Sequence, residues 1–296
     1  STPIKSSAAS DVYKRQLYYC SLAMFRETFF VNIVYRKNGN LSGKSWECMI
    51  SVHREVNRNL VCPQKNKRKR NLHMRREVSL EEISDGRLYE LNDMVKADCQ
   101  DCAGCHDCCE GMGDSVVLDP MDVYRLCTNL GKTPQELVSA GLIQFDAMDG
   151  NILPHLCMSG KNQCCVFLNE QGRCSIHDFR PGFCRLFPLG RFYENGGFKY
   201  FLQIHECKKT SRSKIKVKKW IDTPDLRQYE KFVADWHYFL LDVQEVLYNA
   251  TDAQLIKNLN LYVVNRFYMK TYEVGRDFYE QFEERLTEGK QLLSLA

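Results

Sequence analysis

Apolar residues recur at helical spacing near the carboxyl-terminal end of this 296-residue chain. After Thr223-Pro224, a typical helix start, one apolar stripe follows at three- and four-residue steps: Leu226, Tyr229, Val233, Trp236, Leu240, Val243 and Leu247. Thr251-Asp252 begins a second helical pattern, which runs through Leu255, Leu259, Tyr262 and Phe267. A stripe at this spacing is typical of a packed core. We therefore predict a helical carboxyl-terminal region over residues 223–296.

The middle of the chain has a different hydrophobic pattern, with short apolar runs separated by turn residues. Residues 166–168 and 174–176 flank a five-residue connection that contains Gly172, a pattern typical of a β-hairpin. Residues 114–118 and 197–204 predict further strands. Together with the helices, these short strands predict an α+β protein: a small, irregular, cysteine-rich metal-binding domain followed by a helical region.

Three further helix starts are marked by capping residues. Asp119-Pro120 and Thr133-Pro134 each place a capping side chain before a proline at the first helical position. The second of these helices is predicted to end near Gly141. Ser79 and Glu82 have the spacing of a capping box, which predicts a helix from there to about Val95.

Charge separates the first 73 residues from the rest. They hold 14 Lys or Arg against 4 Asp or Glu, whereas residues 74–296 hold 27 against 33. Residues 11–16 look like the translation of a sequencing adapter, and no sustained period follows up to His73. We predict that 1–73 is a non-native leader with the native start at Met74, that 74–222 is the cysteine domain and that 223–296 is the helical region.

Composition limits the classes of function. The basic excess, including the run at residues 67–70, lies in the leader, so we expect no nucleic-acid binding. No window is apolar enough to cross a membrane, and no export signal is present. We therefore expect a cytoplasmic protein with reduced thiols. No nucleotide-binding Gly-rich turn, Gly-x-Ser-x-Gly or His-Glu-x-x-His motif is found, so whether the chain is an enzyme stays open.

Cysteines carry the chemistry of this sequence. Five lie within eleven residues, from Cys99 to Cys109, and a second set follows at Cys164, Cys165, Cys174, Cys184 and Cys207. Thiolates are soft ligands for zinc and for iron–sulfur clusters. Consecutive Cys-x-x-Cys steps resemble the cluster loop of bacterial ferredoxins, although the final Cys-Pro is missing. Zinc sites use four ligands in two separated pairs. We therefore prefer an iron–sulfur cluster and keep Zn²⁺ as the alternative.

Other polar residues around the cysteines have open roles. Four arginines offset thiolate charge or pair with Asp178 and Glu194: Arg173, Arg180, Arg185 and Arg191. Of the histidines His106, His155, His177 and His205, the last two are the better candidate ligands.

Cys127 is predicted to fill core on a helix. The basic run 208–219 suits a solvated loop or a surface for an acidic partner. Pro181 predicts an extended Arg180, followed by a turn that aims Cys184 at the metal.

The cysteine motifs resemble a known family. The matching segments are Cys102-x2-Cys105-x2-Cys108-Cys109, Cys165-Val-Phe-Leu, Gly172-Arg173-Cys174-Ser-Ile and Arg180-Pro181-Gly-Phe-Cys184-Arg185-Leu-Phe-Pro188. They look like the YkgJ-type cysteine-cluster family, described as a zinc- or iron-chelating domain and similar to part of the flagellin lysine N-methylases. The resemblance covers about residues 99–207. Cys99 and Cys164 are extra to its motif.

The resemblance implies a metal centre and a set of ligands. Carried over to this chain, the ligands are Cys102, Cys105, Cys108, Cys109, Cys165, Cys174 and Cys184, with Cys207 as a further one. Arg180 and Arg185 are expected beside the cofactor. We expect a metal-binding protein with a redox role and a protein partner or electron donor. The alternatives are a structural zinc module for partner interaction and a lysine N-methylase-like enzyme.

Overall fold

The computed structural model describes residues 29–37, 46–54, 80–100, 105–160, 162–209 and 211–294, the first two ranges by backbone alone. The helices are α1 Leu80–Ile83, α2 Pro120–Leu130, α3 Pro134–Ser139, α4 Gly182–Leu186, α5 Val217–Ile221, α6 Leu226–Asn249, α7 Ala253–Val263 and α8 Phe278–Leu293. Short 3₁₀ turns lie at Asp107–Cys109 and His177–Phe179, and a π-helical segment at Val264–Met269 continues α7.

The strands form five antiparallel pairs within the described ranges. They are β1 Phe29–Lys37, β2 Trp46–Arg54, β3 Met94–Asp98, β4 Ile143–Met148, β5 Asn151–Leu156, β6 Met158–Ser159, β7 Cys164–Cys165, β8 Leu189–Glu194, β9 Gly197–Leu202 and β10 Ser213–Lys216. Strand β3 pairs with β10, and every other strand pairs with its neighbour in sequence. Short antiparallel ladders beside packed helices confirm the predicted α+β class.

The predicted long helix of the carboxyl-terminal region is confirmed as α6, which begins at Leu226. Its buried residues include six of the seven predicted stripe positions, and Leu226 packs at the edge of the core. The capped helices α2 and α3 are confirmed as well. In each, the capping side chain accepts a hydrogen bond from the third helical N–H, and that residue's side chain bonds back to the cap.

The helix predicted from Ser79 to Val95 is wrong. Ser79 lies outside the described residues, and α1 ends at Ile83. The chain then turns through Gly86, which has a φ of 74°, and becomes strand β3. Val95 and Ala97 are fully buried, while Met94 and Lys96 face outward. This alternation with a period of two residues is typical of a strand. Antiparallel pairing with β10 places Val95 opposite Ile215 and Met94 opposite Lys216.

The hairpin predicted over residues 166–176 reduces to a single bridge between Leu168 and Cys174. Residues 114–118 likewise form one bridge, from Val117 to His155, although they run alongside β5. The full hairpins instead turn at Asp149-Gly150, between β4 and β5, and at Asn195-Gly196, between β8 and β9. All four of these turn residues have positive φ, as two-residue hairpin turns require.

Residues 29–37 and 46–54, within the predicted leader, have a feature that the sequence did not predict. Strands β1 and β2 pair from Phe29↔Arg54 to Lys37↔Trp46, in a segment expected to have no alternating period. The adapter-like residues 11–16 and Met74 lie outside the described residues. No helix in the described part of the chain is long and apolar enough to cross a bilayer.

One hydrophobic core joins the cysteine-rich part to the carboxyl-terminal helices. It contains buried residues from Tyr89 to Leu286. Polar bonds reinforce the contact: the Tyr268 hydroxyl donates to the Leu118 carbonyl at 3.1 Å, and the Asn260 Oδ1 accepts from the Ile152 N–H at 3.0 Å. The cysteine-rich segments therefore pack on a helical base whose largest element is α6.

Candidate metal centre

Backbone pairing brings the two cysteine sets together. Glu110, directly after the first set, forms a β-bridge with Cys164, and the Gly111 N–H donates to the Gln163 carbonyl at 2.9 Å. Gly111 has a φ of 69°, a conformation that favours glycine. The 3₁₀ turn at Asp107–Cys109 precedes this bridge and carries Cys108 and Cys109. Residues more than 50 positions apart thus meet at one place.

Short backbone pairings also hold Cys165 and Cys174. Cys165 pairs with Met158 in the β6–β7 ladder, and Cys174 pairs with Leu168. Between them, the Asn169 side chain closes the turn by accepting from the Arg173 N–H at 2.8 Å. Gly172 lies against the first cysteine set, because a Cβ there would come within 3.0 Å of the His106 Nδ1.

Cys184 is carried by the short helix α4. The residue before Pro181 is extended as predicted, with Arg180 at φ −55° and ψ 149°. A helix rather than a simple turn follows, and its third residue is Cys184. The Gly182 N–H, at the start of α4, donates to the buried Asp122 Oδ1 at 2.8 Å. A contact with the capped helix α2 therefore sets the position of this cysteine.

Six of the predicted ligands line one cavity of about 80 Å³: Cys105, Cys108, Cys109, Cys165, Cys174 and Cys184. Most of the remaining wall is apolar, and it includes Met112, Val116, Leu156, Met158, Leu168, Ile176, Phe183, Phe187 and Trp220. His106, Arg173, His177 and Arg180 supply its other polar groups. The cavity thus combines soft donors with a largely apolar wall.

Four of these thiols lie close enough to act on one another. Burial is the main cause that raises the pKa of Cys184 well above its usual value, and Cys108, Cys165 and Cys174 raise it further. Burial raises the pKa of Cys165 to about 11, with Cys174 and Cys108 adding to the effect. The pKa of Cys108 is raised first by its hydrogen bond with the neighbouring Cys109 side chain and then by burial. Without a cation, these groups are neutral thiols at pH 7.

Two predicted ligands do not lie in this lining. Cys102 lies outside the described residues. Cys207 is half-buried nearby, and its pKa is raised by burial and, more weakly, by Cys99 and Cys108. An ion pair of 2.9 Å between the Lys208 Nζ and the Asp107 Oδ1 joins its segment to the first cysteine set. Cys207 therefore borders the cysteine cluster without facing the cavity.

The two predicted cofactor arginines have different positions. Arg180 lines the cavity and lowers the pKa of Cys174, opposing the dominant effect of burial. Arg185 is a buried residue of α4 itself and is not part of the lining. Its guanidinium donates to the backbone carbonyls of Asp222, at 3.0 Å, and Asp178. Its contacts are those of a residue that fixes the backbone around Cys184.

The histidines also separate into two groups. His106 and His177 line the cavity, and the Arg180 Nη1 lies 2.7 Å from the His177 Nε2. His155 is buried elsewhere, with its Nε2 2.8 Å from the Asp146 Oδ2. His205 is exposed and does not line the cavity. From sequence alone, His106 has less weight as a candidate ligand. Its position between Cys105 and Cys108, in a Cys-x-x-Cys step, was the feature that could have predicted its place in the cavity wall.

Sequence reasoning missed the sulfur and aromatic wall of the cavity. Met112, Met158 and Trp220 come from three separate segments, and none belongs to a recognisable ligand pattern. Cys127 is not part of this wall. It packs against the core from α2, as predicted, and burial raises its pKa to about 12.

Donor chemistry supports a metal in this cavity. Among the described residues, no three His, Cys, Asp or Glu side chains already converge as the ligands of one ion. The available donors are nevertheless thiols in an apolar wall, which suit zinc or an iron–sulfur centre and suit hard cations poorly. To hold a metal, these thiols would have to converge on it and lose their protons.

Comparison with known proteins gives a family match for part of the chain. Residues 101–217 match a family model, CxxCxxCC, described as "Putative zinc- or iron-chelating domain". The cysteine-rich part is similar to this family, which supports a metal-binding cysteine-cluster protein. A search of curated proteins and a search of solved structures give no match. Helices α6, α7 and α8 lie beyond the matched residues.

Proposed function

We propose that this protein carries an iron–sulfur cluster in the cysteine-lined cavity and takes part in electron transfer. The observation that carries the proposal is the gathering of six thiols around one cavity of about 80 Å³. A single water-sized sphere needs only about 10–15 Å³, so this space suits a group of several atoms better than one ion. The family description, which allows zinc or iron, is compatible with this choice.

Cys108, Cys165, Cys174 and Cys184 are the residues proposed to hold the cluster, with Cys105 and Cys109 beside them. When bound, such a cluster supplies reversible one-electron chemistry. The chain's own contribution is a largely apolar wall and nearby positive charge from Arg173 and Arg180, and this charge favours an anionic centre. We further propose a cytoplasmic location and a protein that donates or accepts the electron.

Anaerobic purification of the full chain tests this proposal. We expect brown protein that contains iron and acid-labile sulfide, and whose visible absorption bleaches on reduction. Zinc has a filled d shell and gives neither colour nor bleaching. Colourless protein with stoichiometric zinc and no sulfide would favour the structural zinc module instead. The same sample decides between the two metals.

A further inference from the structure

The short helix that carries Cys184 is held by residues outside the matched domain. At its carboxyl-terminal end, the Trp220 Nε1 donates to the carbonyls of Leu186 and Phe187 at 3.3 and 3.2 Å. In its middle, Arg185 donates to the Asp222 carbonyl at 3.0 Å. Trp220 and Asp222 lie beyond residue 217, where the family match ends. The helix therefore depends on chain that the family model does not include.

A further contact of this helix is between Gly182 and Tyr229, on helix α6. A Cβ on Gly182 would lie 2.1 Å from the Tyr229 hydroxyl oxygen but 3.4 Å from the ring carbon that bears it. The first distance is far below van der Waals contact, whereas the second is an ordinary contact. The tyrosine is 1% exposed, so its ring has little room to move aside.

The hydroxyl of Tyr229 also has a polar partner. The Arg191 Nη2 donates to it at 3.3 Å, and the Arg191 guanidinium carbon lies 5.8 Å from the centre of the same ring. The Gly182 N–H donates to the Asp122 Oδ1 at 2.8 Å, and this oxygen would lie 3.7 Å from the same Cβ. The start of α4, two residues before Cys184, is therefore close to both a buried carboxyl group and a buried hydroxyl.

We propose that Tyr229 is a positioning residue for the metal centre: its hydroxyl packs on Gly182 and thereby sets Cys184 at the cavity. This inference rests on the proposed metal function and gives helix α6 a part in it. It also explains why glycine precedes Phe183 and Cys184 here, although Gly182 has no left-handed backbone to accommodate. The close approach of the hydroxyl requires it.

A double-mutant cycle tests the contact, with Co²⁺ as the probe on reduced, metal-free full chain. Thiolate coordination of Co²⁺ gives visible charge-transfer absorption, which reports both affinity and ligand type. Gly182→Ala should shift the start of α4 and weaken Co²⁺ binding by about tenfold, a cost typical of overpacking. Tyr229→Phe in the same chain removes the colliding oxygen and should restore most of that affinity.

Tyr238→Phe is the matched control. It removes a hydroxyl from the same helix, one that bonds to Gly196 and Gly197 in the β8–β9 turn instead of contacting α4. It should neither change wild-type affinity nor rescue Gly182→Ala. Rescue by both tyrosine variants, or by neither, would overturn the positioning role, as would unchanged binding by Gly182→Ala. A wild type that binds no Co²⁺ through thiolates would overturn the metal function itself, and the positioning role with it.

Discussion

At the scale of single residues, the cavity cysteines are thiols that burial keeps neutral. Cys165, with its pKa raised to about 11, and the more strongly shifted Cys184 cannot ionise at pH 7 without a compensating cation. A bound metal would supply that charge and displace the protons. These cysteines are therefore weak acids in the absence of a metal, and as thiolates they would be good metal ligands.

The predicted ligands follow from the resemblance of the cysteine motifs to a known family, whereas the arginine positions do not. That resemblance implied eight cysteine ligands, and six of them share the cavity. Arg180 and Arg185 are five positions apart in similar sequence, yet one lines the cavity and the other binds carbonyls behind it. That difference depends on where residues 178 and 222 lie in space, which local sequence does not contain.

A residue-scale prediction concerns His237, which stacks on Tyr193 with ring centres 3.6 Å apart. Burial, with Arg191 nearby, lowers the pKa of His237 to about 4 from 6.5. The unfolded chain therefore binds an extra proton between pH 6.5 and 4, and folding stability falls as the pH falls through this window. Above pH 6.5 both states are neutral and the effect disappears.

His237→Phe keeps a ring on Tyr193 and removes this titration. Relative to wild type, its free energy of unfolding should increase by on the order of 3 kcal/mol between pH 7.5 and pH 4, since each pKa unit corresponds to about 1.4 kcal/mol. Urea unfolding at several pH values measures the difference between the two proteins, which cancels effects that they share. Parallel pH profiles would contradict the assignment.

At the scale of elements, local signals determined the capped helices and tertiary pairing determined several strands. Asp119-Pro120 and Thr133-Pro134 start helices because cap and proline act within one turn. Strand β3 was missed because its partner β10 lies more than 100 residues away, so no local pattern announces the pair. The dipeptides Asp149-Gly150 and Asn195-Gly196 are typical of two-residue hairpin turns. They would have been sufficient to predict the β4–β5 and β8–β9 hairpins.

An element-scale prediction concerns the end of helix α4. Trp220→Phe keeps an aromatic ring in the cavity wall but removes the N–H shared by the Leu186 and Phe187 carbonyls. Loss of one such hydrogen bond should lower the free energy of unfolding by about 1 kcal/mol. Chemical denaturation of the variant and wild type, both metal-free, measures this difference. Equal stabilities would show that these carbonyls do not need the indole.

At the scale of the whole molecule, the metal centre and the helical region share one core. The buried set runs from Tyr89, before the cysteines, to Leu286 on α8. Amphipathic periodicity predicted the helices, but their contacts with α4 could not be predicted, because Gly182 and Tyr229 lie 47 positions apart and neither belongs to a motif that names the other. The sequence thus predicts the cysteine ligands and the carboxyl-terminal helices separately, without their contacts.

The central claim is that the cavity thiols hold an iron–sulfur cluster, and two matched variants test it most directly. Cys184 lines the cavity, whereas Cys127 is also partly buried but faces core on α2. Iron and acid-labile sulfide are measured per chain in anaerobically purified wild type, Cys184→Ser and Cys127→Ser.

We predict full cluster content in wild type and in Cys127→Ser, and loss of most iron and sulfide in Cys184→Ser, because a hydroxyl is a poor soft ligand. Folding of each variant is checked by circular dichroism and by its unfolding transition. Equal iron and sulfide in the two variants, or none in wild type, would contradict the claim that this cavity is the cluster site.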